Sequence, residues 1–302
     1  MAHAHATRGS RTDKRWPARR GLSVTIGLTS IIMIVEVLGG WWANSLALLS
    51  DAGHMLTDVL ALGMSLFAVT MACLPATTRK TYGYHRIEIL AALTNGVILA
   101  VISLGIFYQA YRRLVHPQPV EGGLVLKVAA VGLAANLIGI WLLSRSEGGL
   151  NVRSARLHVA GDALSSVGVL VAGIVIALKG WYRIDALISL GIGVIIIAGA
   201  FHLLRETVDI LLESAPMGME LMEVCRGIES IKGIKQCHDL HIWSITSGMT
   251  ALSGHVILDP VAFAESDEIL NKIKEMLNRR FKIEHTTIQV ESESYTEVGE
   301  VH

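Results

Sequence analysis

Charge is scarce in this chain. Asp, Glu, Lys and Arg together make up 17% of its 302 residues, against about a quarter in ordinary soluble domains. Hydrophobic residues reach 52% and mean hydropathy is positive, so composition alone places the chain in a membrane. The formal net charge is zero, which points to neither nucleic acid nor an acidic partner. Cysteine is nearly absent. Cys73, Cys225 and Cys237 are odd in number and irregular in spacing, which argues against a disulfide framework. Without a CxxC pair there is no zinc ribbon and no thioredoxin-like motif. No HExxH occurs, so the general-base Glu of a metalloprotease is missing. The basic N-terminus leads into an apolar run that is too long for a signal-peptide core and has no convincing cleavage site, so that run reads as a retained span.

What the chain has instead is long apolar runs. A bilayer core of about 30 Å needs about 20 apolar residues in a helix. Six stretches qualify: Leu22–Trp42, Ser45–Cys73, Ile87–Tyr111, Leu124–Ser144, Asn151–Leu178 and Ile184–Leu204. Only Ala43 and Asn44 separate the first two, which predicts a tight helical hairpin. Lys and Arg cluster in residues 8–20, 79–86 and 145–156, which all fall on one side if the spans alternate. By the positive-inside rule both termini are expected in the cytoplasm. The expected organisation is a basic N-terminal segment over 1–20, a transmembrane domain over 21–205 and a cytoplasmic domain over 206–302.

The last hundred residues read like a soluble domain. Met219–Ile228 suits a helix and Lys235–Thr246 a strand. Ser247 and Gly248 make a turn into a second strand over Thr250–Leu258. Ile269, Ile273, Met276 and Leu277 mark one face of a helix, and Thr286–Glu291 is a last strand. The order α-β-β-α-β predicts a two-layer α+β fold. The expected class is a six-helix all-α transmembrane domain with this small domain attached.

The chemistry sits in two matched pairs. Span two carries His54 and Asp58, and span five carries His158 and Asp162. Residues four apart share a helix face, and an ionisable group at membrane depth is a functional hypothesis by default. At ~1.5 Å per residue in a ~30 Å core, Asp162 falls level with His54 and His158 level with Asp58. Two imidazoles and two carboxylates form a tetrahedral shell that suits zinc. The lack of thiolate argues against copper(I), and imidazole argues against magnesium and calcium. Cobalt, cadmium and iron(II) stay open. A neutral imidazole binds metal and a protonated one carries charge back, which suits exchange of metal for protons. The competing readings are a haem protein with two axial histidines and a metal sensor that does not transport. Glu36, Asp51, Asn95 and Asn136 also lie within apolar runs. Each either lines a hydrated path or serves as a buried hydrogen-bonding partner.

The run SLALLSDAGHMLTD over residues 45–58 resembles the signature of the cation diffusion facilitator family. YGYHRIEILAA at 82–92, CHDLHIWS at 237–244 and HTTIQVE at 285–291 fit the same family. The resemblance is closest to bacterial zinc exporters with HxxxD on both the second and fifth spans. It implies a transporter, not an enzyme: a homodimer in the bacterial inner membrane with six spans and a metallochaperone-like cytoplasmic domain. Such a protein exports Zn2+ and related divalent ions by proton antiport with alternating access. His54, Asp58, His158 and Asp162 map onto the transport site, and His at the first position suggests a stronger zinc preference. His238, His255 and Glu291 match a cytoplasmic zinc site, with His285 as a further contributor and zinc as its regulatory ligand. His238 and His241, three apart on a strand, are expected to face opposite ways, and Cys237 is a candidate soft ligand. The loop over 76–82 lacks ligands that some members carry there. Arg86 is a candidate partner for Glu213 or Asp209. His3 and His5 either scavenge metal or belong to an inert tail.

Overall fold

The computed structural model describes residues 15–72, 74–144 and 150–295. His3, His5 and Cys73 lie outside them. Six long helices come first: α1 (Arg15–Ala43), α2 (Leu46–Ala72), α3 (Arg86–Val115), α4 (Gly122–Ser144), α5 (Leu150–Lys179) and α6 (Arg183–Leu211). Five of them, α2 to α6, contain segments long and apolar enough to cross a membrane. In α1 the apolar stretch within the described residues is Thr29–Ala43. The helices outrun the apolar stretches that predict them. α6 continues through Arg205 and Glu206 to Leu211, because a charged turn at a helix end loses nothing once it leaves hydrocarbon.

The chain forms two compact units, Met1–Phe67 with Thr94–Leu203, and Ala68–Leu93 with Leu204–His302. In the first, α4 packs along α5 and α1 against α4. Gly173 permits the first of these approaches, since a Cβ there would lie 3.0 Å from the backbone nitrogen of Leu126. Small residues at helix crossings let backbones close in this way. Leu48, Val125, Val169 and Ile196 belong to one buried apolar cluster drawn from α2, α4, α5 and α6.

The α1–α2 hairpin turns on Asn44, whose φ of 54° is left-handed, a conformation Asn tolerates better than most residues. Ser45 then caps α2, its Oγ accepting from the Leu48 amide at 3.2 Å. Asp185, at the start of α6, reinforces this end. Its carboxylate accepts from Ser45 Oγ at 2.6 Å, the Leu46 amide at 2.7 Å and the Ala47 amide at 3.2 Å. Arg113 of α3 donates to Asn44 O at 2.6 Å, Asn44 Oδ1 at 2.9 Å and Asp185 Oδ2 at 3.4 Å. Arg113 is therefore tied into the bundle end.

In the second unit, α7 (Leu221–Glu229), β1 (Ile234–Thr246), β2 (Met249–Leu258), α8 (Ser266–Met276) and β3 (His285–Ser292) follow in the predicted order. β1 pairs antiparallel with β2, and β2 parallel with β3. Val224, Ile228, Leu252, Val256, Leu258, Ile269 and Ile273 form the core between sheet and helices. The sheet's other face carries polar residues. Arg86 and Glu213 form an exposed ion pair at 2.8 Å, and Thr246 Oγ1 donates to Glu88 Oε2 at 2.5 Å.

β1 contains a bulge. The register passes from His238 opposite His255 to His241 opposite Ser253, so Asp239 and Leu240 together face Gly254. Asp239 takes a left-handed φ of 46°. The extra residue restores the alternation, so His238 and His241 stand on the same face of the sheet. The expectation that they point opposite ways is thereby corrected: a strict period of two does not survive a bulge.

Candidate metal centres

His54 and Asp58 lie one turn apart on α2, and Asp162 lies on α5. Their ligand atoms all fall within 4.8 Å of one another, and His54 Nε2 is 3.5 Å from Asp162 Oδ1. Ligands of a tetrahedral zinc with ~2.1 Å bonds sit ~3.4 Å apart, so this separation suits one shared ion. His54 and Asp162 are partly buried, with side chains 24% and 18% exposed. His54 Nδ1 is buried without a hydrogen-bond partner among the described residues. His158 occupies the turn of α5 that precedes Asp162, but its side chain lies outside the described residues.

Other polar groups lie within the apolar helices. Asp51, 3% exposed, accepts hydrogen bonds from Ser165 Oγ and, at 3.3 Å, from Ser166 Oγ. Asn136 Nδ2 donates to Ser166 Oγ at 3.3 Å. Glu36 is 1% exposed and its Oε2 has no hydrogen-bond partner among the described residues. The same holds for Asn95 Oδ1. The apolar runs flag Glu36, Asp51, Asn95 and Asn136 but give no hint of Ser165 and Ser166, which look like ordinary helix residues.

The other cluster lies on the open face of the sheet. His238 and His255 are register partners, their rings edge to face with centroids 5.3 Å apart. Glu291 reaches both, its Oε2 lying 3.0 Å from His238 Nε2 and its Oε1 2.9 Å from His255 Nδ1. Glu291 is only 4% exposed, and Gln289 Nε2 donates to it at 2.8 Å. The ligand atoms of the three again lie within 4.8 Å of one another, a donor set that fits zinc. Asp239 stands behind them, 3.8 Å from His255 Nε2 and 3.0 Å from His241 Nε2.

His285 is not brought to this cluster. It opens β3, exposed, six register pairs from Glu291 on the same face, with Tyr82 edge-on to its ring at 6.2 Å. Cys237 points the other way, into the core. Burial pushes its thiol up to about 12, which disfavours the thiolate a metal needs.

Residues 22–212 match the cation efflux transmembrane domain, and residues 216–293 match the cation efflux protein cytoplasmic domain. The chain is 42% identical over 267 residues to the cadmium, cobalt and zinc/H(+)-K(+) antiporter of Bacillus subtilis, covering 87% of this chain and 86% of the relative. It is 39% identical over 297 residues to the zinc transporter ZitB of Escherichia coli, covering 96% and 93%. It is 42% identical over 273 residues to the metal cation efflux system protein CzcD of Cupriavidus metallidurans, covering 90% and 86%. Among solved structures, the metal-bound C-terminal domain of the CzcD transporter from that organism is 44% identical. It covers 24% of this chain and 99% of its own, with a TM-score of 0.23. The chain is thus a multi-pass membrane protein of the cation efflux family, the cation diffusion facilitators, a family of transporters and not of enzymes.

Proposed function

We propose that this protein exports zinc from the bacterial cytoplasm by exchange for monovalent cations, binding the metal through His54, Asp58, His158 and Asp162. The approach of His54, Asp58 and Asp162 to within 4.8 Å across two apolar helices carries this reading. Three polar ligands at one point inside a bundle serve a divalent ion better than they serve packing. Two carboxylates offset the divalent charge where little solvent does so. A haem would need the histidine without the adjacent carboxylates.

The counter-ion reading rests on the relatives, two of which are named for antiport against H+ and K+. In this scheme α1 is the sixth span, both termini are cytoplasmic, and the protein works in the inner membrane as a homodimer. Its division is a basic segment to residue 20, the transport domain to 205 and the cytoplasmic domain beyond. His238, His255 and Glu291 hold a regulatory zinc, and His285 stays outside that set. A broader preference including cobalt and cadmium is the second reading, because relatives are named for those metals.

Metal flux into proteoliposomes under imposed pH and potassium gradients tests the proposal, with zinc, cobalt, cadmium and iron(II) compared. Zinc flux that is gradient-driven and abolished by Asp162→Ala is the expected result. Flux that survives Asp162→Ala undiminished would falsify the site.

A further inference from the structure

Beside the proposed metal ligands the bundle buries two further carboxyl groups. Glu36 and Asp51 are 1% and 3% exposed. Asp51 receives two serine hydroxyls, but Glu36 Oε2 receives nothing among the described residues. A buried carboxylate oxygen that receives no donor among the described residues is costly unless a positive ligand joins it.

The surroundings are built around this carboxylate. Gly132 of α4 faces Glu36 of α1, and a Cβ there would lie 2.7 Å from Glu36 Oε1 and 3.8 Å from Ser166 Oγ. Glu36 Oε1 and Ser166 Oγ therefore both lie near that point, and a side chain there would force the carboxylate to shift. Ser166 Oγ in turn meets Asp51 Oδ2 and Asn136 Nδ2, each at 3.3 Å. Three helices thus bring oxygen donors towards one place, Glu36 of α1, Asp51 of α2 and the hydroxyls of Ser165 and Ser166 of α5, while Asn136 of α4 donates to Ser166. No nitrogen acceptor or sulfur belongs to the group. Hard oxygen donors suit hard cations, while the imidazole-containing set next door suits a transition metal.

We propose that Glu36, Asp51, Ser165 and Ser166 form a second cation site, separate from the HxxxD ligands, which takes a monovalent alkali ion of the potassium kind. The inference deepens the proposed function by giving the counter-ion a place of its own, and it rests on that reading for its role in exchange. Two adjacent sites that share the bundle's negative charge couple naturally. An ion in one lowers the field that holds an ion in the other.

The test is equilibrium binding of radioactive rubidium, standing in for potassium, to the purified full-length protein. Zinc binding by chelator competition is measured on the same samples. Wild-type protein is expected to bind rubidium, and potassium to displace it. Glu36→Gln should weaken this binding by at least the about 10–100-fold that loss of an outer-shell partner costs a site, while zinc occupancy is retained. Ser166→Ala and Gly132→Ala provide a second route should Glu36→Gln fold poorly, and each should also weaken rubidium. No rubidium binding in the wild type, or binding untouched by all three changes, overturns the site. Loss of coupling to protons in Glu36→Gln, with no rubidium bound, would mean that the carboxylate carries a proton, and it also overturns the alkali site. Failure of the functional reading looks different, because zinc flux would then be absent from wild-type protein that still binds rubidium.

Discussion

The two metal-type clusters use nearly the same donors on opposite kinds of scaffold. In the bundle, His54 and Asp58 ride on one helix and Asp162 on another. Each helix satisfies its own backbone, so no ladder of hydrogen bonds fixes their relative height. In the sheet, His238 and His255 are register partners, and Glu291 sits on β3, which is paired with β2. Three strands lock those ligands through backbone hydrogen bonds. A ligand set on separable rods can open and release its ion. A set stitched across a sheet holds its geometry. In the proposed function, the same donors would serve passage in one place and sensing in the other.

That contrast can be broken experimentally. The largest effect is expected from Asp162→Ala, which should cut zinc flux by about 100-fold or more, as losing a side chain that holds the metal exceeds the about 10–100-fold cost of losing one that only hydrogen-bonds a ligand. Zinc binding at the sheet cluster should stay intact by chelator competition. His255→Ala should do the reverse. Zinc affinity of the sheet cluster drops by about 10–100-fold or more, while flux at saturating zinc changes far less. Equal loss of flux in both variants would erase the distinction.

Smaller changes sharpen it. Gly254 lies opposite the bulge, and a Cβ there would meet Leu240 Cδ1 at 2.7 Å. Gly254→Ala should destabilise the C-terminal domain by about 1 kcal/mol, the low end for overpacking, because the end of a leucine can shift. Thermal unfolding read on the domain's Trp243 checks this, and zinc affinity there should fall with it. Least of all, Arg86→Ala removes an exposed pair worth about 0–1 kcal/mol. Neither unfolding nor flux should move beyond that range.

Helical periodicity made one site legible and strand periodicity obscured part of the other. HxxxD needs only the 3.6-residue turn to place His54 and Asp58 together, and simple depth reckoning puts Asp162 level with His54. The α-β-β-α-β order likewise follows from alternating apolar positions. Strand counting failed at Asp239, where the bulge turns His241 onto the face of His238. His285 lies near Glu291 in sequence, but an extended strand carries it six register pairs away. The ties between distant helices left no local trace. Asp185 reads as a helix-start acid and Ser165 as filler until α6 and α5 are set beside α2.

The Asp185 tie has a consequence for how the protein is made. The first amides of α2 emerge from the ribosome long before their acceptor, which lies 138 to 139 residues later in the chain. Until α6 is synthesised, that end of the α1–α2 hairpin must rely on Ser45 and whatever lines the insertion machinery. The last long helix therefore acts as the closing clasp of the first hairpin, and chains truncated before Asp185 lack it.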